Sequence, residues 1–230
     1  MKTSATKTYE VEIKTLLGSK ESADGLRAAL AERYPDMKLT GKGRQLNHYF
    51  NMPSDTASLV TKIRPLAPAE KKEELEHILT AGHKISLRTR DTDGDVRLVL
   101  KASVGDDTSS NGVRRIECEF KVASSLDELD KALLSAGATY QAKWSREREE
   151  YTGKDMNVCI DRNAGYGYLA EFEKVTQDEG SLDKVHADPL SVMAELGVSE
   201  LPQDRLERMF AHYNAHWPEY YGSEKTFIIE

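Results

Sequence analysis

Charged residues recur at every second position in several short runs of this chain, with apolar residues between them. That two-residue period fits a β-strand with one oily and one ionic face. The first run, Y-E-V-E-I-K, sets Glu10, Glu12 and Lys14 on one face and Val11 and Ile13 on the other. K-I-S-L-R-T-R aligns Lys84, Ser86, Arg88 and Arg90 against Ile85, Leu87 and Thr89. V-R-L-V-L-K aligns Arg97, Val99 and Lys101, and R-R-I-E-C-E-F-K aligns Arg115, Glu117, Glu119 and Lys121 against Ile116, Cys118 and Phe120. Further on, Arg146 pairs with Arg148, Asp161 closes a run backed by Val158 and Ile160, and Glu171 aligns with Glu173 around Phe172.

Any one of these strands alone reads as the wet side of a sheet. The set does not, because it repeats Glu-x-Glu and Arg-x-Arg where solvated strands mix Thr, Ser, Gln and Lys. Like charges two apart on one face repel and need a compensating partner. Doubled carboxylates suit divalent cations that prefer oxygen ligands. Doubled arginines suit phosphate oxygens, which the guanidinium fork matches. A barrel lined by both would hold a metal–polyphosphate complex.

The pattern resembles the CYTH superfamily, the triphosphate tunnel metalloenzymes. The ExExK signature is matched by Glu10, Glu12 and Lys14, and a Tyr-Phe strand by Gln45–Asn51. An R-x-R strand is matched by Arg88 and Arg90, a strand ending in lysine by Lys101, and R-x-E-x-E by Arg115, Glu117 and Glu119. A basic strand follows at Arg146 and Arg148 with Tyr151 beyond. The closing D-x-x-x-G-x-G-x-x-x-E-x-E block is matched by Asp161, Gly165, Gly167, Glu171 and Glu173. The chain departs from the family pattern in carrying Asn47 where an acidic residue is common and Arg146 where lysine is commoner. Its stretch from Ser58 to Gly82 is also longer than the family's usual link.

The resemblance implies an α+β protein built on a closed antiparallel β-barrel of about eight strands. The barrel forms a charged tunnel flanked by helices, with its apolar faces turned outward beneath them. Residues 1–176 would form the tunnel domain and residues 177–230 a C-terminal helical extension packed on the barrel. Glu10, Glu12, Glu171 and Glu173 would hold one or two Mg²⁺ or Mn²⁺ ions, with Glu117, Glu119 and Asp161 as further metal candidates. Lys14, Arg88, Arg90, Lys101, Arg146 and Arg148 would grip the phosphates, and Glu10, Glu12, Lys14, Glu171 and Glu173 form the catalytic set. The implied activity is hydrolysis of tripolyphosphate, a nucleoside triphosphate or thiamine triphosphate. The same cradle would serve an adenylate cyclase making cyclic AMP and pyrophosphate, or a non-catalytic module that binds polyphosphate or nucleotides.

Of the 230 residues, 31% are charged, and a formal net charge of −7 disfavours nucleic acid and anionic membranes as bulk partners. No apolar run is long enough to span a bilayer, and the polar start MKTSATK lacks a signal-peptide pattern. Cys118 falls on an apolar strand face and reads as a buried free thiol; Cys159 reads as a small wall residue. With no disulfide expected, the chain fits a reducing cytoplasm, as a monomer or homodimer. Helices are expected over Ser22–Tyr34, stopped by Pro35, over Pro68–Thr80, and over 124–137, with Ser124 or Ser125 as cap and Gly137 at the end. Residues 105–112, GDDTSSNG, read as a polar loop. Near the C-terminus Leu206, Met209, Phe210 and Tyr213 form a helical apolar stripe that packs on the barrel or, more sharply, plugs a tunnel mouth. His212 and His216 lack the glutamate of an H-E-x-x-H site and read as ordinary histidines, and Trp217–Tyr221 as packing.

Overall fold

The computed structural model describes residues 9–103, 115–153, 155–176 and 182–229. The expected loop at 105–112 lies outside the described residues. Eight strands form one sheet: β1 (Tyr9–Gly18), β2 (Lys38–Asn51), β3 (His83–Thr92), β4 (Asp95–Ser103), β5 (Arg115–Lys121), β6 (Thr139–Thr152), β7 (Asn157–Asn163) and β8 (Gly167–Thr176). Their order is β1-β8-β7-β6-β2-β3-β4-β5, and every neighbouring pair is antiparallel. The sheet curls until β1 and β5 approach within 8 Å between Cα atoms, without a hydrogen-bonded ladder between them among the described residues. The strands thus wrap a barrel-like tunnel with a seam between β1 and β5.

The apolar faces point outward and lie beneath helices. On one side α1 (Lys20–Arg33) and α5 (Leu182–Glu195) cover the sheet, packing Leu26, Leu30 and Met193, with Leu196 just past α5, on Ile13, Val158, Ile160 and Phe172. On the other side α2 (Thr56–Ile63), α3 (Lys72–Ala81) and α4 (Leu126–Ser135) bury Leu59, Ile63, Leu75, Ile78, Leu129 and Leu133 against Leu87, Leu98, Leu100 and Phe120. Helix α6 (Gln203–Tyr220) packs differently, as described below with the site. Cys118 lies in the second core and Cys159 is buried in the wall. Both are free, and burial pushes their thiols up to about 11 and about 12.

Three local expectations shift. The first helix begins at Lys20 rather than Ser22, because the Ser19 hydroxyl accepts from the Ser22 amide and caps the turn. The stretch between β2 and β3 holds two helices, not one. Asp55 caps α2, and short 3₁₀ turns at Arg64–Leu66 and Ala69–Lys71, with Pro65 and Pro68 among them, separate α2 from α3. Lys84 leaves the alternating row: it sits at φ +50° inside a register shift between His83 and Ser86, and faces solvent. The α4 helix forms as expected, on a Ser125–Glu128 capping box, with Gly137 beyond its end at φ +88°.

A buried polar network ties α4 to the outside of the barrel. Asp130, 2% exposed, accepts from Thr89 Oγ1 at 2.7 Å and Tyr140 OH at 2.7 Å, and lies 2.6 Å from His48 Nδ1. Burial alone would raise its carboxyl, but the hydrogen bonds from His48, Thr89 and Tyr140 outweigh burial and lower it. Asp130→Ala should therefore destabilise the protein by about 2–4 kcal/mol, since it strands three buried polar partners at once. Urea denaturation measures this; a loss below about 1 kcal/mol would show the network contributes little.

Candidate active site

The charged faces meet inside the barrel because the strand registers align them. On β1 and β8, Glu12 stands directly opposite Glu173, and Lys14 opposite Glu171. Glu10 lies on β1 opposite Val175, and its side chain is outside the described residues. On β6 and β7, Arg148 stands opposite Asp161. On β2 and β3, Arg90 stands opposite Asn47 and Arg88 opposite Tyr49. On β4 and β5, Lys101 stands opposite Glu117 and Val99 opposite Glu119.

Each inward arginine is held by a specific partner. Arg148 grips Asp161 with both arms of its fork, Nε to Oδ1 at 2.7 Å and Nη2 to Oδ2 at 2.6 Å, and also bonds Glu171. Arg146 donates to the same Asp161 at 2.7 Å and to Gln45 Oε1 at 2.9 Å. Arg90 donates to Asn47 Oδ1 at 3.1 Å and to Glu119 at 3.2 Å. Arg88 donates to the Tyr49 hydroxyl at 2.8 Å and lies 4.0 Å from Glu117. Its Nε is buried with no hydrogen-bond partner among the described residues. Lys14 contacts Glu12 and lies 3.7 Å from Glu171, and Lys101 is 2.9 Å from Glu117. The four guanidiniums are only 12–15% exposed, so their fields act through protein rather than water.

The electrostatics divide the tunnel. Around β2, β3 and β6 positive charge is in excess. Burial pushes the Arg90 guanidinium down to about 10 and neighbouring Arg88 adds to the push, which Glu119 only partly opposes. Burial would raise the Tyr49 phenol, yet Arg88, Arg146 and Arg90 outweigh it and draw the phenol down to about 8. On the β1–β8 side the signs balance more closely. Burial lowers the Lys14 ammonium, with Glu171 opposing. Burial would raise Glu171, but Arg148, Lys14 and Arg146 hold it well below the usual glutamate range. An anion is therefore favoured at the arginines.

All the expected phosphate-binding residues come together: Lys14, Arg88, Arg90, Lys101, Arg146 and Arg148 share the interior. Glu12 and Glu173 oppose each other across one strand pair, and Glu12, Glu117, Glu119, Asp161 and Glu171 each contact at least one cationic side chain. Among the described residues no three His, Cys, Asp or Glu side chains converge on one metal position. Asp161 is the extreme case, 1% exposed in its side chain and accepting from two arginines. His212 and His216 stack on each other at 4.4 Å rather than meeting at a metal.

The sequence reading missed Tyr49 and Gln45 as arginine partners. Both lie in Gln45–Asn51, each two residues from Asn47 on the same strand face, so strand alternation alone could have placed them. It also stopped the charged rows too early. Continuing the alternation past Lys14, Arg146 and Glu171 brings Leu16, Trp144 and Leu169 inside. These join Tyr166 in an apolar cluster with Leu206, Met209, Phe210 and Tyr213 of α6. Tyr213 stacks on Trp144 at 4.0 Å, Phe210 meets the same ring edge-on at 5.2 Å, and the Tyr213 hydroxyl donates to the Lys143 carbonyl at 2.9 Å. Each such buried ring contributes on the order of 3 kcal/mol. Helix α6 thus packs its stripe on the barrel, against Trp144, Tyr166 and Leu169. Gly165 makes room for it: at φ +94°, an added Cβ there would lie 2.6 Å from the Tyr213 ring.

A family model for the CYTH domain matches residues 8–205. No curated protein matches the chain by sequence. Among solved structures, the PH1819 protein of Pyrococcus horikoshii OT3 superposes with a TM-score of 0.61 at 19% identity, over 89% of this chain and 99% of the other. A conserved hypothetical protein from Pyrococcus furiosus gives 0.60 at 16% identity, over 85% and 98%. A candidate adenylate cyclase from Vibrio parahaemolyticus gives 0.59 at 15%, over 88% and 98%. At such identities the likeness is one of fold.

Proposed function

The chain belongs to the CYTH domain family, and from that premise we propose that it is a divalent-metal-dependent hydrolase of a triphosphate bound inside the tunnel. The observation that carries this reading is the gathering of four largely buried guanidiniums, Arg88, Arg90, Arg146 and Arg148, on the tunnel wall, three of which draw the Tyr49 phenol down against the effect of burial. A run of phosphates supplies the missing negative charge, and its oxygens match the guanidinium forks. The buried, partnerless Nε of Arg88 is one donor such an oxygen would satisfy.

The donor set fits a hard divalent cation. Glu12 and Glu173 stand directly opposite each other, with Lys14 in contact with Glu12, and Mg²⁺ or Mn²⁺ accepts such carboxylate oxygens as ligands. Glu12 and Glu173 would hold it, with Glu10 from the same strand and Glu171 beside them. When bound, the cation neutralises phosphate charge and makes a nearby water more acidic. Asp161 joins the positioning residues instead of the metal set, because both its oxygens already orient Arg146 and Arg148.

The chain's own residues then have distinct tasks. Arg88, Arg90, Arg146 and Arg148 hold the phosphates in line and stabilise charge on the leaving diphosphate. Gln45, Asn47, Tyr49 and Asp161 fix the angles of those guanidiniums. Lys14 and Lys101 add point charges. Water attacks phosphorus, the bridging P–O bond breaks with its electron pair on the diphosphate, and orthophosphate and one proton are released.

Product analysis tests the proposal. With Mg²⁺ or Mn²⁺, tripolyphosphate, ATP and thiamine triphosphate are offered and products resolved. Orthophosphate and a diphosphate are expected; cyclic AMP with pyrophosphate from ATP would make the chain a cyclase, and binding without any product a recognition module. A second measurement isolates the phosphate contacts. Arg90→Ala should weaken tripolyphosphate binding about tenfold to a hundredfold, since hydrogen bonds to charged groups contribute about 1.5–3 kcal/mol. Arg90→Lys should recover only part, keeping the charge and losing the fork. Calorimetry with Ca²⁺ reads this without turnover, and unchanged affinity in Arg90→Ala would refute the placement.

A further inference from the structure

We infer that Asp130, on α4 outside the barrel, is a positioning residue for the tunnel: its carboxylate sets the three strands that carry the four inward guanidiniums and their partners. The inference rests on the triphosphate reading above and names the residue that holds that site in shape from behind.

The clamp lies directly behind the binding wall. In the β2–β3 register His48 stands opposite Thr89, with Asn47–Arg90 and Tyr49–Arg88 as the pairs on either side. Alternation sends those flanking pairs into the tunnel and turns His48 and Thr89 out of it. Outside, one Asp130 oxygen accepts from Thr89 Oγ1 at 2.7 Å, and the other lies 2.6 Å from His48 Nδ1 and accepts from Tyr140 OH at 2.7 Å. One buried carboxylate thus joins β3, β2 and β6. These strands carry Arg88 and Arg90, their partners Asn47 and Tyr49, and Arg146 and Arg148.

The strand ladder alone leaves this corner loose. Tyr49 pairs with Ala142 but Phe50 with Tyr140, so the β2–β6 register shifts by one residue beside Tyr49. Such a bulge disrupts the ladder and adds twist, and Tyr140, which Asp130 holds, borders it. The clamp itself is firm. Leu129 and Leu133 fix α4 in the core, at 1% and 0% exposed. The second imidazole nitrogen of His48, Nε2, lies 2.7 Å from Tyr221 OH, so both edges of the ring are engaged. A shift of about 1 Å at a binding group costs up to about a hundredfold, which is the precision such a clamp supplies.

Asp130→Asn separates position from charge. Removing a negative charge behind the wall would, through its field alone, tighten phosphate binding and draw the Tyr49 phenol lower still. Losing position does the reverse, because Arg88 moves off the Tyr49 hydroxyl and the guanidiniums spread. Calorimetry with tripolyphosphate in Ca²⁺ reads the first quantity. Ultraviolet absorbance of the phenolate reads the second, since Tyr49 is drawn down to about 8, and Tyr49→Phe assigns the transition. Folded Asp130→Asn should bind tripolyphosphate about tenfold more weakly, and its Tyr49 transition should move to higher pH. Binding as tight as the parent's, or tighter, overturns the inference and leaves Asp130 a role in stability alone.

Two further variants keep the test decisive. If Asp130→Asn does not fold, Thr89→Val, which removes one donor to the carboxylate, should weaken binding about threefold, and unchanged affinity would sink the inference. Met193→Ala opens the core on the α5 side, far from the clamp, and should keep its affinity within about twofold. If it weakens binding as much as Asp130→Asn, the effect is a general loss of stability and the inference fails. If the parent protein does not bind tripolyphosphate, the triphosphate reading falls. The Tyr49 titration, which needs no ligand, then decides on Asp130 by itself.

Discussion

Chelating divalent cations is expected to abolish turnover, and Mg²⁺ or Mn²⁺ to restore it. Glu12→Gln and Glu173→Gln should lower kcat by about a hundredfold or more at saturating metal, the cost of losing about 3 kcal/mol of transition-state stabilisation. Both variants should still fold, although Glu12→Gln also loses the ion pair to Lys14, so rate and stability are measured separately. Stopped assays on folded protein, with thermal denaturation in chelator alongside, read both quantities. Wild-type rates in either variant, or full activity in excess chelator, would reject the metal assignment.

Asp161→Asn should have the largest effect on stability, about 3–5 kcal/mol, because it leaves two buried guanidiniums without their shared carboxylate. Denaturant titration measures it, and a loss under about 1 kcal/mol would show that Glu171 and water compensate. Glu171 gives the same cluster a pH signature. Its carboxyl is held below the ordinary 4.5 by Arg148, Lys14 and Arg146 against the effect of burial. A depressed carboxyl contributes stability that is fully present above its unfolded value and lost as pH falls through its folded value. This contribution should be constant from neutral pH down to about 4.5 and decline only below it. Glu171→Gln should flatten that acid limb; a limb unchanged in the variant would assign the acid sensitivity to other carboxylates.

The sheet was readable because its period is short and its residues extreme. Glu-x-Glu-x-Lys and Arg-x-Arg admit few structures besides strands, and the apolar alternates Val11, Ile13, Phe172 and Leu98 all lie buried on the outer face. The first of the two helices between β2 and β3 was not readable from charge, because Thr56–Ile63 is short and mostly uncharged, and its signal is a single Asp55 cap. The task of Asp161 was also hidden. Alternation places it inside, but only the β6–β7 register sets it opposite Arg148, and register depends on turns and packing that a residue pattern does not carry. Trp144 was not legible as a contact of α6, because charge marks the row only as far as Arg146, although the same alternation that brings Arg146 and Arg148 inside continues one step further into the α6 cluster.

The edge position of β1 has a consequence for how the chain acquires its site. Among the described residues β1 ladders only with β8, so Glu12 waits for a partner that follows it by 161 residues. Contacts so distant in sequence form late and slowly, since the intervening loop must close before they return any free energy. At ribosomal speeds of about 5–20 residues per second, the first strand spends on the order of ten seconds without its mate. The carboxylate pair is therefore among the last features to assemble, and a nascent or partly unfolded chain can fold its β2–β5 side while still lacking the acidic mouth.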